Sequence, residues 1–411
     1  MDEISHILFL GQVGFPCGYA EVQKVRLIAK SLLHANCKIS VINRLWVLGI
    51  CPENINPQIR GTFEGINYIF APGTPNRPKM FLSRTIRRIL IPFNEAKILF
   101  TLCREGKISG AIVSIGIFWQ IFLYKMFSII FSFPIIMISE ELRSAIVPGK
   151  SIWRRLDAWL YDRYAFRFVD GVLPISEFLV DNIKKCFPDK PYLKVPVLVD
   201  RSRYDGMVRN PEKIYLLFCG SLAYLELIEF ILRTFDRCHT RDNVFLYLVV
   251  NGSNQLFRQL QDCVSRSSKR DRIEIYSRLT DKELALLYIN AYALFIPLRP
   301  THRDSARFPH KIGEYCASGR PVITTNYGEI RSYFIHGETA FIANEYSEES
   351  YAGVIEEAFS DPQRADRIGA NGKILAEREF DHIIHGSNIK EFIISMAAHQ
   401  KYTLQSDTKC N

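Results

Sequence analysis

The sequence predicts an α/β protein of two doubly wound units in tandem, each a parallel sheet covered by helices. Three observations support this prediction. Short apolar runs alternate with helix-length stretches along the chain. The same alternation starts again after residue 200. A length of 411 residues accommodates two domains with separate cores.

The first half carries the earlier set of strand patterns. A helix is predicted from Glu21 to Ala35, where apolar residues recur at helical spacing. The predicted strands are HILFLG (6–11), CKISVINR (37–44), INYIF (66–70), AIVSI (111–115), PIIMIS (134–139) and GVLPIS (171–176).

Residues 111–139 are apolar over enough length to resemble a membrane span. Gln120 and Lys125 interrupt the run, however, and Pro134 divides it into pieces of strand and helix length. A strand, a helix and a second strand in a fully covered parallel sheet produce the same pattern, and we favour that interpretation.

The second half repeats the alternation of strand and helix patterns. We therefore predict a first domain over 1–200 and a second over 201–380, with a hinge near 195–204. A capping box, Thr280 with Glu283, begins one helix. The last apolar helix, within 381–411, is expected to pack back on the first domain. The predicted strands are IYLLFCGS (214–221), VFLYLVVNGS (244–253), RIEIYS (272–277), ALFIPL (293–298) and PVITT (321–325).

Composition narrows the class and the compartment. Hydrophobic residues make up 48% of the chain and charged residues 23%, as in folded globular proteins. The ten cysteines form no C-x-x-C pair, and several lie in apolar runs. We therefore expect reduced thiols and a cytoplasmic location, without a disulfide framework or a zinc site. The acidic start, MDEISHILFLG, lacks the basic region of a signal peptide.

The net charge of +9 favours anionic partners. Part of it is concentrated at 79–107, where seven Lys or Arg stand against two Glu among apolar residues. A basic amphipathic helix here would suit an anionic membrane surface, and a solvated helix of the domain exterior explains the pattern equally well. No motif combines basic and aromatic residues in the way that nucleic-acid readers do.

Two segments carry candidate chemistry. In GQVGFPCG (11–18), Gly14 and Gly18 would let the backbone approach a ligand, although a tight turn explains them as well. In RFPHKIGEYCASGRPVITT (307–325), Pro309 suits the first helical position and Gly319 ends the helix.

Lys311 lies in the first turn of that helix, where the helix dipole disfavours a cation unless an anion is near. Glu314 is three residues further on, so the two side chains share one face. One interpretation of this pair is that Lys311 binds a diphosphate and Glu314 accepts hydrogen bonds from ribose or sugar hydroxyls. A plain surface ion pair is the other.

The run PHKIGEYCASGRPVITTNYGEI (309–330) resembles the donor-binding signature of family 4 glycosyltransferases. The segments FCGSL (218–222), HGETAFIA (336–343) and SEFLVDNI (176–183) resemble further parts of that family, so that the resemblance covers nearly the whole chain. It implies the GT-B fold, two Rossmann-like domains facing across a cleft. The first domain would bind the acceptor and the second the nucleotide-sugar donor.

The resemblance also implies an activity. Such enzymes are retaining hexosyltransferases that use UDP- or GDP-sugars and need no metal or other cofactor. The expected acceptor is a glycan or lipid-linked glycan of surface polysaccharide or glycolipid biosynthesis, with a peripheral location on the cytoplasmic face of the membrane. A degenerate module that binds a nucleotide or partner without turnover, and a nucleotide-sugar epimerase, remain open alternatives.

The resemblance assigns site residues, with departures. Glu314 matches the second of two family acids, but the position of the first holds Ala306, and Asp304 is its nearest substitute. The loop after the first donor strand has Gly220 and Ser221 without the usual basic residues.

Lys311 is therefore the candidate that neutralises the diphosphate. Arg299, Arg303 and Arg307 are either helpers or solvated loop charges. Arg278 is expected at the donor site. In SEELRSA (139–145), Glu140 or Glu141 is expected to contact the acceptor or sugar, unless the segment is only an exposed acidic turn.

Overall fold

The structure is a computed structural model that describes residues 4–18, 20–48, 51, 55–114, 116–143 and 151–407. The chain divides into two compact units. Unit 1 comprises Met1–Leu198 with His382–Asn411, and unit 2 comprises Val199–Asp381. Each unit contains a sheet of mainly parallel strands that extends to both sides of a central strand, so the predicted fold class is confirmed.

Unit 1 holds a seven-stranded sheet in the order β3-β4-β2-β1-β5-β6-β7. All neighbours are parallel except β3, which runs antiparallel to β4 and was not predicted. The elements are β1 (Ser5–Val13), α1 (Ala20–His34), β2 (Cys37–Leu45), β3 (Arg60–Phe63), β4 (Ile66–Phe70), α2 (Phe81–Glu105), β5 (Ile108–Val113), α3 (Phe118–Phe131), β6 (Ile135–Ser139), α4 (Ile152–Tyr164), β7 (Gly171–Pro174) and α5 (Glu177–Cys186).

The apolar segment 111–139 forms the end of β5, then α3 and β6, as the interpretation of strand, helix and strand requires. Within the described residues, no helix has the length and apolar character needed to cross a bilayer. The strands β5 and β6 are buried on both faces, because α2 and α3 cover one face and α1 the other. This two-sided burial explains why the run is so apolar.

Unit 2 holds a six-stranded parallel sheet in the order β10-β9-β8-β11-β12-β13. All five strands predicted for this half are present, and β13 is an addition. The elements are β8 (Ile214–Ser221), α6 (Leu225–Arg237), β9 (Val244–Asn251), α7 (Asn254–Ser265), β10 (Ile273–Tyr276), α8 (Asp281–Asn290), β11 (Ala293–Ile296), α9 (His302–Ala306), α10 (Lys311–Ala317), β12 (Val322–Thr325), α11 (Ile330–Tyr333), β13 (Phe341–Ala343), α12 (Glu348–Ser360) and α13 (Pro362–Glu379). The capping box of Thr280 and Glu283 forms as predicted.

The final helix, α14 (His382–Asp407), packs against α1 within unit 1. Ile389 and Ile393 are fully buried in the core there. Gly386 allows the close approach, because a Cβ at this position would lie 2.0 Å from the Ser31 carbonyl oxygen. Lys390 fixes the register by donating from Nζ to the carbonyl of Ala35 at 3.0 Å.

One expectation about the cysteines is wrong. Cys17 and Cys51 form a disulfide, with their Cα atoms 4.1 Å apart. The loop after β1 and the segment after β2 leave neighbouring parallel strands at the same sheet edge, which brings residues 34 positions apart together. The described cysteines outside this pair are free, and four of them are buried: Cys37, Cys238, Cys263 and Cys316.

Candidate active site

The sheet of unit 2 reverses its strand order between β8 and β11. From β8 the chain proceeds to β9 and β10 on one side, then crosses to β11, β12 and β13 on the other. Ligands of doubly wound sheets bind beyond the carboxyl ends of the strands at such a switch point. Here β8 ends at Ser221 and the loop after β11 leads to α9 and α10.

The pair on α10 lies beside this switch point. Lys311 donates from Nζ to Glu314 Oε2 at 2.8 Å, and the two side chains remain 31% and 21% exposed. The next residue, Tyr315, is buried and accepts a hydrogen bond at its hydroxyl from the Cys219 N–H at 2.9 Å. That bond ties α10 to the end of β8, so the pair is accessible but firmly placed.

Two residues at the start of unit 2 support Glu314. Tyr204 donates from its hydroxyl to the Glu314 carbonyl at 2.9 Å. Arg203 Nη1 lies 3.7 Å from Glu314 Oε2, and Arg203 also donates to the carbonyl of Asp281 at 2.7 Å. Sequence reasoning missed both residues, because they lie about a hundred positions from Glu314 in the chain and belong to no local motif.

The electrostatics of the pair keep both members charged. Burial alone would raise the pKa of Glu314, but the positive charges of Lys311 and Arg203 overcome it and lower that pKa below its ordinary value. Burial would likewise lower the pKa of Lys311, and the Glu314 carboxylate raises it instead. A fixed ammonium beside a fixed carboxylate can meet a phosphate and a hydroxyl group, respectively.

The start of α10 differs from the prediction by two residues. Pro309 was expected at the first helical position, whereas the helix begins at Lys311. Pro309 forms the preceding turn, in which its carbonyl accepts the Ile312 N–H at 3.0 Å. No side chain caps the helix, and Gly319 follows its end with a φ of 73° that favours glycine.

Arginines gather beside α10. The guanidinium groups of Arg303 and Arg307 lie over the Tyr224 ring, 4.8 and 4.7 Å from its centroid. Arg303 also donates to the Tyr224 hydroxyl at 3.0 Å. Because Tyr224 follows Ser221 by one turn, these two cations lie close to the loop in which the sequence has no basic residue.

Asp304 lies beneath that cluster and not on the surface. It is fully buried and accepts from the backbone N–H and Nε of Arg299, at 3.0 and 2.8 Å. Arg307 Nε lies 3.1 Å from its second oxygen. Burial opposes ionisation, but these arginines hold the pKa of Asp304 below its ordinary value. The carboxylate therefore positions Arg299 and Arg307, and Ala306 at the family's first-acid position is also fully buried.

The other residues predicted for unit 2 lie at the same sheet edge. Gly220 precedes Ser221 at the end of β8, and Ser221 is exposed with its Oγ accepting the Ala223 N–H at 3.2 Å. Arg278 follows β10 at a φ of 57°, and its N–H lies 3.4 Å from Asn251 Oδ1 at the end of β9. The edge thus carries the exposed side chains of Ser221 and Arg278 besides the α10 pair.

Unit 1 has its own switch point, between β1 and β5. Lys24 of α1 is 6% exposed and donates from Nζ to Ser114 Oγ, just after β5, at 3.0 Å. The same ammonium forms an ion pair with Glu140, just after β6. The sequence indicated Glu140 but neither Lys24 nor Ser114, which join it only through the fold. Glu141 is also partly exposed, and residues 144 and 145 of SEELRSA lie outside the described residues.

The glycine loop of unit 1 is tightly packed. A Cβ on Gly14, whose φ is 78°, would lie 2.9 Å from the Cys17 carbonyl oxygen, and one on Gly18 would lie 2.3 Å from the Val22 side chain. Asn43 holds the loop by accepting from the N–H of Phe15 at 2.9 Å and donating to its carbonyl at 2.8 Å. Packing thus explains both glycines, and their contact with a ligand stays a prediction.

Within the described ranges, no group of three or more His, Cys, Asp or Glu side chains is arranged to hold a metal ion. The expectation of a site that works without a metal or other cofactor stays a prediction.

Solved structures share this architecture over nearly the whole chain. Sucrose-phosphate synthase from Thermosynechococcus elongatus is 15% identical with a TM-score of 0.69, and the alignment covers 100% of both chains. HepE from Anabaena, in complex with UDP and glucose, is 16% identical with a TM-score of 0.67, over 95% of this chain and 100% of its own. WaaG, a glycosyltransferase involved in lipopolysaccharide biosynthesis, is 14% identical with a TM-score of 0.64, over 94% and 99%. No curated protein sequence matches the chain.

The fold is therefore GT-B. Residues 205–374, nearly all of unit 2, match the family described as glycosyl transferases group 1, which confirms the resemblance at the level of that group.

Proposed function

We propose that the protein is a retaining hexosyltransferase that moves a sugar from a UDP- or GDP-sugar to a glycan or lipid-linked acceptor in surface polysaccharide or glycolipid biosynthesis. The accessible Lys311–Glu314 pair at the β8–β11 switch point is the observation that carries this proposal. It lies in the part of the chain that matches the family, at the edge of the sheet where nucleotide ligands bind.

Lys311 acts on the leaving group in this mechanism. An ammonium has three donors, and Glu314 accepts one of them, so further donors remain for phosphate oxygens. As the anomeric bond breaks, negative charge develops on the diphosphate, and a cation that is already in place stabilises it. The freed diphosphate then takes the proton of the acceptor hydroxyl, which reacts on the face that the leaving group vacated.

Glu314 acts on the donor's hydroxyl groups. Its lowered pKa keeps it ionised, and an ionised carboxylate accepts hydrogen bonds from ribose or sugar hydroxyls. Arg303 and Arg307 are positioned by Tyr224 and Asp304 to add positive charge at the loop that contains Ser221.

Similar structures support the substrate class. HepE forms a complex with UDP and glucose, and WaaG is a glycosyltransferase involved in lipopolysaccharide biosynthesis. From the likeness to these structures and from the residues of the site, we propose that this chain uses a nucleotide-sugar donor and a surface-glycan acceptor. Unit 1, with Glu140 at its switch point, is our candidate for the acceptor, and 79–107 for peripheral contact with the inner face of the cell membrane. Free cysteines fit the reducing compartment in which nucleotide sugars would be used, where a disulfide such as Cys17–Cys51 is unusual.

A second candidate is a degenerate module that binds a nucleotide without turnover. Two observations favour it: Ala306 is buried at the first-acid position, and the arginines occupy the carboxylate of Asp304. Neither observation removes Lys311 or Glu314, which is why we place transfer first.

Incubation of the purified protein with a panel of UDP- and GDP-sugars distinguishes the two candidates. Thermal shift reports binding, and nucleotide release reports cleavage of the donor, with and without glycan or lipid-linked acceptors. The proposal predicts a rise in melting temperature with one donor and nucleotide release that depends on an acceptor. Binding without release under every acceptor would favour the degenerate module, and no binding to any member would contradict both.

A further inference from the structure

The helix α2 is apolar on two opposite sides. Ile91, Ile98, Leu99 and Leu102 are buried in the core of unit 1. The other side exposes a second stripe at helical spacing, formed by Leu82, Ile86, Ile89 and Phe93, with Phe93 70% exposed. A surface helix of a globular protein ordinarily needs one apolar face only, so the outer stripe lacks an explanation in the fold.

The neighbouring helix α3 shows the same double pattern. Its inner side buries Ile121, Tyr124 and Phe127. Its outer side exposes a stripe that begins at Trp119, 65% exposed, and continues to the end of the helix. The stripe consists of Trp119, Phe122, Met126, Ile129 and Ile130.

A third helix, α4, extends the surface. Trp153 is 77% exposed, and Leu156 and Trp159 lie on the same side of the helix at 45% and 49%. Arg163, one turn further on, covers part of Trp159, with its guanidinium 5.7 Å from the ring centroid.

The three helices form one layer. Tyr124 of α3 donates from its hydroxyl to the buried carboxylate of Glu95 in α2 at 2.6 Å. Asp157 of α4 accepts the N–H of Phe118 at the start of α3 at 3.2 Å. The outer stripes therefore lie on neighbouring helices that cover the same core, and we call them together the three-helix face. It exceeds the scattered apolar residues that are normal on a protein surface.

The fully exposed charges on the three helices are mostly positive, although Asp157 and Asp162 are partly exposed. The exposed charged residues of the three helices are Arg88, Lys97, Arg104, Arg154, Arg155 and Arg163, against Glu105 alone among the described acids. Tryptophan and arginine with aliphatic residues are the combination that proteins use at the interface of an anionic bilayer.

We infer that the three-helix face lies on the surface of an anionic lipid bilayer, with Trp119, Trp153 and Trp159 at the level of the headgroups. The positive charge of the face favours an anionic bilayer over a second copy of the chain as its partner. A two-fold contact would place the cationic rims of the face against themselves with few exposed acids to neutralise them. The inference goes beyond the membrane contact proposed for 79–107, because α3 and α4 lie outside that segment and contribute all three tryptophans.

The tryptophans provide a direct test. The chain has four, and Trp46 is 1% exposed in the core, so a change in emission on adding vesicles reports on the other three. We expect a blue shift, and quenching by lipids brominated near the headgroup, with phosphatidylcholine vesicles that contain phosphatidylglycerol. Pure phosphatidylcholine should bind several-fold more weakly, and high salt should reduce the difference.

Variants separate the two components of binding. Trp153→Gln with Trp159→Gln should reduce the fraction that sediments with anionic vesicles about tenfold at every salt concentration, through the apolar surface lost. Arg154→Gln with Arg155→Gln should reduce it only at low salt. Ile374→Gln, at an exposed position of α13 in unit 2, is the matched control and should leave it unchanged.

Two results would overturn the inference: sedimentation that the tryptophan variant does not alter, or a concentration-dependent dimer that the same variant abolishes. Binding of UDP or GDP, whichever the wild type binds without vesicles, should be retained in every variant, which shows that the protein is folded. Failure of vesicle binding with intact nucleotide binding thus counts against the face alone, and failure of the wild type to bind either UDP or GDP counts against the proposed function alone.

Discussion

Each unit places a lysine and a glutamate beyond the switch point of its sheet, and the two pairs are built differently. Lys311 and Glu314 are three residues apart on α10 and remain 31% and 21% exposed. Lys24 and Glu140 are 116 residues apart, and Lys24 is only 6% exposed. The same chemical pair is thus accessible in unit 2 and largely enclosed in unit 1.

The difference indicates a division of roles. Lys311 can reach a ligand without leaving Glu314, because a third of its side chain faces solvent. Lys24 bonds to Ser114 and to Glu140 at once, so it joins the ends of β5 and β6 through α1. We therefore assign diphosphate binding to the unit 2 pair, and orientation of Glu140 to Lys24.

The largest expected effect follows Lys311→Ala. Removal of the cation from the leaving group should lower kcat about 100- to 1,000-fold, as loss of one preorganised group commonly does. The measurement is acceptor-dependent nucleotide release with the donor found in the panel. Lys282→Ala, at an exposed position of α8, is the control and should turn over normally. Normal turnover by Lys311→Ala would remove the diphosphate role.

A smaller loss is expected for Glu314→Gln. The amide keeps the shape and one acceptor oxygen but loses the charge that strengthens bonds to hydroxyls, so we expect about a 10- to 100-fold fall in kcat/KM. Steady-state kinetics with the same donor measure it. An unchanged kcat/KM would show that Glu314 only pairs with Lys311.

Substitution of Lys24 in the unit 1 pair should lower the stability of the protein and leave donor binding unchanged. Lys24→Met removes a buried cation from both Ser114 and Glu140, and because Glu140 is 26% exposed we expect a loss of about 1–2 kcal/mol in the free energy of unfolding. Urea titration measures it. The double variant Lys24→Met, Glu140→Gln should be less destabilised than the sum of the single variants. Additive losses would show that the two groups are not coupled.

The smallest effect concerns pH. The folded pKa of Glu314 lies below its ordinary value of 4.5, so the stability it contributes is present above 4.5 and is lost as pH falls through the lower folded pKa. The difference in melting temperature between wild type and Glu314→Gln should therefore be constant near neutral pH and shrink in this acidic window. A difference that grows as pH falls would contradict the assigned direction.

The sequence could predict those features whose signal lies within a few neighbouring residues. Strand bounds such as Ile214–Ser221 matched, because burial on both faces imposes continuous apolar runs. The helix of Lys311 and Glu314 could be predicted because its signal spans a few residues. The short strand β3 escaped, since RGTF has no apolar alternation to mark it.

The remaining features depend on contacts between distant residues. Arg203 meets Glu314, Lys24 meets Glu140, and Cys17 meets Cys51 only after sheet formation brings loop ends together. No spacing rule encodes such meetings. The burial of Asp304 beneath Arg299 and Arg307 also depends on packing. From sequence alone, the polar stretch DSAR (304–307) is expected to be a solvated loop.

The most direct test of the account is the affinity for free UDP and GDP, measured by titration calorimetry on the wild type, Lys311→Ala and Lys24→Met. The account predicts that Lys311→Ala binds the preferred nucleotide about 10- to 100-fold more weakly, while Lys24→Met binds it as the wild type does. Equal affinity in all three proteins, or the same loss in both variants, would contradict the assignment of diphosphate binding to the switch point of unit 2.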